Sequence, residues 1–344
     1  MSSLRLALAL AVVAVTYAGN CTAGNAPLVR RIGAATAGCD VVVYTTVVYG
    51  EGVRLPHPRT RLGPGAYDSA DKGVCYLIVA GALSAAALRD EHCGDTAPWV
   101  VVAAEDGGRR ASRTVKLNPL AFFGPRARYL VFMDWKLRLL RAPRRLVADA
   151  LGGGGGGGYG FAAFRHPCTC AYTSPRVSPC NKRRPDEPWW RTEARLVRAK
   201  TEDPAALRAQ IERYERSGSP LSQYVDGSLL LWDARHPVAA ALSCAWYTEY
   251  ARDDSSDRDQ LAFARAITAV ATSPSPKADG VFLIAEGRRP DCGALCHTYE
   301  KGDTTEGAGA RVLPRDAAPS AKCPPTPAPS PMGPTAVPTR RPPR

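Results

Sequence analysis

Histidine is scarce, with five in the chain, and no His-Glu-x-x-His pair or other dense histidine cluster occurs. That weighs against a zinc hydrolase, which needs such ligands gathered around its metal. There is no Gly-x-Ser-x-Gly, so the nucleophile elbow of the α/β hydrolases is missing. After the first residues no apolar run approaches the ~20 residues that span a bilayer; Val101–Ala104 and its like are far too short. No nucleic-acid-binding motif is present.

What is present begins with a leader. Arg5, the apolar run Leu6–Val15 and the small-residue stretch to Ala18 make residues 1–18 a secretory signal or a short signal anchor. The route is then the secretory pathway, with the Golgi lumen or the exterior as destination, and contact with a membrane only if that segment is retained. The eleven cysteines fit it: in an oxidising compartment they are expected as disulfides plus at least one unpaired thiol. The pairing is open. Cys168-x-Cys170 with Cys180, and Cys292-x3-Cys296 with His297, have zinc-like spacings, but the compartment favours disulfides. Asn20-Cys-Thr22 is a glycosylation sequon beside the cleavage point. A net charge of +13 over 344 residues makes a solvated basic surface, or one that attracts acidic partners such as nucleotide diphosphates, acidic polysaccharide or anionic membrane. Nucleic acid is not expected as a partner in the secretory route.

Residues 19–37, rich in Gly and Ala, are expected to be a flexible lead-in. Asp40–Gly50 is β-branched, apolar and closed by glycine, the pattern of a buried strand. Further strands are expected at Gly73–Ala80, Trp99–Ala104, Tyr129–Met133, Phe161–Phe164, Ser228–Trp232 and Gly280–Ala285. Helices are expected at Pro143–Leu151, at Pro204–Arg216 with Leu207, Ile211 and Tyr214 on one side, and at Asp259–Val270. Strands alternating with helices predict one α/β domain over 38–300 with a mainly parallel sheet covered on both faces. The seven glycines at 152–158 lack the lysine and helix start of a phosphate loop and predict a low-complexity insertion. From 314 to 344 the chain is Pro-, Ala-, Ser- and Thr-rich without apolar period, which predicts a disordered tail.

Two segments carry chemistry. The strand Tyr129–Met133 ends in Asp134-Trp-Lys136, and a carboxylate at a strand's carboxyl end is where open α/β sheets place ligand-binding groups. A nucleotide-sugar transferase needs such a carboxylate to hold a divalent metal, or the ribose and diphosphate, and the metal neutralises the departing diphosphate. Here Lys136 stands where a second acid is usual, so the cation itself would contact the diphosphate. Asp134 is thus the candidate ligand for Mn²⁺ or Mg²⁺, with His297 the other. The second segment is Trp246–Phe263. Asp259 and Gln260 open a helix and suit sugar hydroxyls, with Glu249 as base or hydroxyl partner and Trp246 as a face for a pyranose ring. The plain alternatives are a helix cap for Asp259 and core for Trp246.

Val42–Gly50, Tyr129–Leu140, Arg165-His-Pro167, Gln210–Gly218 and Trp246–Phe263 together resemble, in order and rough spacing, the turgor-regulation-defect and mucilage-related family. The resemblance spans about residues 38–270. It implies a GT-A-like nucleotide-sugar transferase domain of the secretory pathway that glycosylates a polysaccharide or glycoprotein; ceramide hydrolysis has also been attached to the family. Departures are Leu120 where the family's Lys-x-x-Pro-His ends in histidine, Trp135 in place of a small residue, and the glycine run. The leading expectation is a glycosyltransferase in which Tyr44, Thr45, Asp134, Lys136 and Trp246 meet the donor and Asp259, Gln260 and Glu249 act on the sugar. Its rivals are a ceramide amide hydrolase and a non-catalytic secreted binding protein on the same fold.

Overall fold

The computed structural model describes residues 21, 25–47, 57–63, 65–92, 94–105, 108–135, 137, 139–152, 158–165, 189–198, 203–217, 225–270 and 281–284. The leader, Lys136, residues 153–157, 166–188 and 285–344, and with them His297 and the tail, lie outside these residues.

Among the described residues seven strands form one sheet in the order β3-β2-β1-β4-β6-β5-β7. They are β1 (Val41–Thr46), β2 (Val74–Gly81), β3 (Trp99–Ala104), β4 (Tyr129–Met133), β5 (Phe161–Arg165), β6 (Val225–Asp233) and β7 (Val281–Ile284). The chain winds outward from β1 through β2 to β3 and returns to place β4 on the other side of β1, all parallel. Only β6 runs against its neighbours, pairing antiparallel with both β4 and β5. The expected α/β class with a mainly parallel sheet is what the chain adopts.

Helices cover both faces because the strands are apolar on both. Val42, Tyr44, Leu130 and Phe132 pack with α1 (Ala26–Ala35), α3 (Gly108–Leu117), α4 (Pro119–Phe123), α8 (Pro237–Tyr250) and α9 (Asp259–Val270). The alternate residues Val41, Val43, Val131 and Met133 pack with α2 (Ala82–Glu91) and α5 (Pro143–Leu151). A third cluster joins α6 (Trp189–Val197) and α7 (Pro204–Arg216) to α9 through Trp190, Leu207, Tyr214 and Leu261.

The lead-in is not uniformly flexible: it contains α1. Asn25 caps that helix by accepting from Leu28 N at 2.9 Å, a proline stands in its first turn, and Leu28 and Ile32, one turn apart, bury against the sheet. Two disulfides close the same region, Cys21–Cys244 and Cys39–Cys75, with Cα atoms 5.5 and 5.9 Å apart. The first ties residue 21 to α8, and the second links Cys39, two residues before β1, to β2.

Candidate functional site at the carboxyl edge of β1 and β4

The chain leaves β1 toward β2 on one side, while β4 lies on the other. The carboxyl ends of β1 and β4 therefore flank the point at which the sheet reverses its direction of winding, where open α/β sheets form a ligand crevice. Asp134 is the first residue beyond β4, on the same side of the sheet as Phe132. Its backbone is fixed twice: its N–H donates to Ser228 O at 2.7 Å, and its carbonyl accepts from Leu137 N at 2.8 Å. The side chain is half-buried.

Beside it lies a buried ionic cluster. Lys116, near the end of α3, donates from Nζ to Asp259 Oδ2, and both side chains are almost fully buried. Arg113, one turn earlier, approaches Asp259 Oδ1 from Nε at 3.9 Å. Burial by itself would raise the Asp259 carboxyl, but Arg113 and Lys116 outweigh it and hold the group below the usual carboxylate range. For Lys116 burial is the largest influence and draws the ammonium down, against the pull of Asp259. Asp134 also favours the charged forms of both Arg113 and Lys116, and its backbone is bonded to Ser228, next to the Gly227 that Lys116 approaches. Gly227 makes room: a Cβ there would lie 3.0 Å from Lys116 Nζ and 3.8 Å from Asp259 Oδ2.

Asp259 is delivered by a heavily tied loop, residues 251–258. Arg110 donates from Nη2 to Ser255 O at 2.5 Å, and Ser256 N donates to Gln210 Oε1 at 3.0 Å. Arg213 donates to Asp254 O at 2.9 Å, and Tyr250 OH to Asp257 O at 3.3 Å. Trp246 Nε1 donates to Asp259 O at 2.8 Å. Three helices, α3, α7 and α8, thus hold the approach to α9.

The residues singled out in the sequence meet different fates. Asp134 and Asp259 come to the same pair of cations. Gln260 is partly exposed in the first turn of α9. Glu249 accepts from Arg213 Nη2 and from Tyr214 OH, the latter at 3.0 Å, so its carboxylate is engaged in the α7–α8 contact. Trp246 is fully buried among Phe161, Trp232 and Phe263 and has no face for a sugar ring; it is core. Tyr44 is likewise core. Its ring packs on Phe123 and Phe132, its hydroxyl donates to Lys116 O at 3.5 Å, and burial pushes its phenol well above the ordinary value. The β-strand period explains this, since Tyr44 points into the same layer as Val42. Thr45 points to the opposite face, near the end of β1, with its buried Oγ1 lacking a hydrogen-bond partner among the described residues. Lys136 and His297 lie outside the described residues.

Trp135 is absorbed by stacking: the Arg61 guanidinium lies over it at 5.5 Å, and Trp99 meets it edge-on at 6.4 Å. The residues that sequence reasoning passed over are Arg113 and Lys116. Their signal was the Lys116-Leu-Asn-Pro119 segment, which fixes where the helix ends but not what the lysine meets.

The donor set does not fit Mn²⁺ or Mg²⁺. Among the described residues no three His, Cys, Asp or Glu side chains gather to hold a metal ion. Asp134 is accompanied by two fixed cations, which repel a third.

No family model and no curated protein matches the chain. Among solved structures it is similar to mouse xyloside xylosyltransferase 1 in its apo form, with a TM-score of 0.39 and 10% identity over 71% of this chain and 84% of that one. It is also similar to the apo WbbM bifunctional glycosyltransferase, with a TM-score of 0.38 and 11% identity over 72% of this chain and 38% of that one. At such identities no residue role carries across.

Proposed function

We propose that the chain is a GT-A-like glycosyltransferase of the secretory pathway that takes a nucleotide-sugar donor at the carboxyl edge of β1 and β4 and a glycan or glycoprotein as acceptor. The observation that carries this reading is the convergence of Asp134, Arg113 and Lys116 beside the point where the sheet reverses its winding. A carboxylate there accepts hydroxyls of ribose or sugar, and cations there meet a diphosphate. In the sequence Lys136 follows the end of β4 by three residues, a further basic residue in the segment that carries Asp134. The two disulfides and the leader-like first residues support the secretory route.

A panel of nucleotide sugars tests the reading by donor hydrolysis. Asp134→Asn removes one charge at nearly constant volume and is predicted to lower turnover about 100-fold or more, with an unchanged melting temperature. A folded variant with wild-type turnover would reduce Asp134 to a strand-end residue. The non-catalytic reading has one observation in its favour: the carboxylates of Asp259 and Glu249 are both engaged by cations. Donor binding without hydrolysis across the panel would select it. Ceramide cleavage run beside the panel checks the amidase alternative.

A further inference from the structure

Arg113 is the member of the ionic cluster that keeps a face to solvent. Its side chain is 23% exposed, against 3% for Lys116 and 5% for Asp259. It is also the member whose donors are least used. Lys116 takes Asp259 Oδ2 in a direct hydrogen bond, which leaves Arg113 a contact to Oδ1 at 3.9 Å, too long for a hydrogen bond. Its buried Nε has no hydrogen-bond partner among the described residues. Arg258, next to Asp259 at the head of α9, has a buried Nε in the same condition. A guanidinium offers a planar fork of donors that matches two phosphate oxygens at once. It belongs to the cluster beside the reversal point, where among the described residues no three His, Cys, Asp or Glu side chains gather around a cation site.

We propose that this protein binds the diphosphate of its nucleotide ligand through fixed cations rather than through a metal ion, with Arg113 making the contact and the Lys116–Asp259 pair positioning it. The inference rests on the nucleotide-sugar reading above. Lys116 acts through Asp259: by satisfying one carboxylate oxygen it keeps Asp259 from folding Arg113 into a closed, two-bond pair. Asp134 also favours the charged guanidinium. No bond is made or broken in this step, and the negative charge of the diphosphate is met without a co-reactant.

The test is calorimetric binding of UDP, GDP and inorganic pyrophosphate to the full chain, once with EDTA and once with Mn²⁺, for wild type, Arg113→Gln and Arg113→Lys. A nucleoside diphosphate is expected to bind with the same affinity in both conditions, to within about twofold. Arg113→Gln is expected to weaken it about tenfold or more, with Arg113→Lys intermediate because charge is kept and the fork lost. A melting scan of each variant separates loss of the site from loss of the fold. Nucleotide binding that appears only with Mn²⁺ overturns this inference and leaves the nucleotide reading standing. Pyrophosphate binding without metal, and no nucleotide binding, keeps the cation site and sinks the nucleotide reading. No binding of any probe in either condition overturns both. Undiminished binding by a folded Arg113→Gln removes Arg113 from the site.

Discussion

Asp259 stands in the first turn of a helix, where sequence alone assigns it either a cap or a ligand. Its partners decide otherwise: it is a buried anion neutralised by Lys116. Taking two charges out of water is costly, and their attraction offsets this only while both are present. Lys116→Met should therefore leave the buried carboxylate without its hydrogen-bonded partner, facing Arg113 at 3.9 Å, and cost about 3–5 kcal/mol in chemical denaturation. The double variant Lys116→Met, Asp259→Leu should recover most of that loss, because neither member of the buried pair remains and Arg113 keeps its face to solvent. If the double variant is as unstable as the sum of its parts, the pair is not the source of the cost. At this scale sequence reading was weakest. Tyr44 and Trp246 are aromatic residues next to polar ones, a pattern shared by sugar sites and by cores, and burial assigned both to the core.

At the scale of elements, the loop 251–258 depends on helices distant in sequence. Gln210 and Tyr214 in α7 sit beneath it. Gln210 Nε2 donates to Tyr214 OH at 3.0 Å while its Oε1 accepts from Ser256 N, and the Tyr214 hydroxyl faces Glu249 Oε1 at 3.0 Å and Leu261 O at 3.2 Å. Burial, and then the neighbouring Glu249, raise the Tyr214 phenol well above its ordinary value, so it is a neutral donor across the accessible pH range. Tyr214→Phe keeps the ring against Trp190 and deletes only the hydroxyl. It should cost about 1–3 kcal/mol, since buried acceptors are left unpaired. Amide exchange of Ser255–Asp259 should quicken in the variant; protection equal to wild type would show that the loop is held by other contacts. The Gln210–Gly218 motif, which resembled part of a transferase family, is in its described residues a brace for this loop.

Across the whole molecule the Cys21–Cys244 bridge joins residues 223 apart and binds the start of the described chain to α8. Asn118 Nδ2 adds a bond to Cys21 O at 3.1 Å, and Ser243 Oγ lies 3.2 Å from both Leu117 O and Asn118 Oδ1. The end of α3, which carries Lys116, is thereby fixed to the same helix. Cys244→Ser should cost about 2–4 kcal/mol of unfolding free energy, and Cys21→Ser, Cys244→Ser together should cost no more than one change alone. A double variant much weaker than either single one would mean that the two cysteines act separately.

Strand positions were legible in the sequence because β-branched apolar runs ending in glycine or acid have few alternatives. β1, β2, β3, β4 and β5 all fall where the runs predict, and the alternation of strand and helix fixed the α/β class. The carboxylate at the end of β4 was legible for the same reason, as it ends an apolar run. Helices α1, α2, α3 and α8 were not read from the sequence: α2 and α8 carry little amphipathic stripe, while α1 and α3 do carry one, within Gly-, Ala- or Arg-rich segments that the reading passed over. Strand order, the reversed β6, the two cysteine pairs and the meeting of Arg113, Lys116, Asp134 and Asp259 belong to tertiary structure alone. Residues more than a hundred positions apart acquire a common environment only when the sheet sets their distance, and charge, burial and partner depend on that distance.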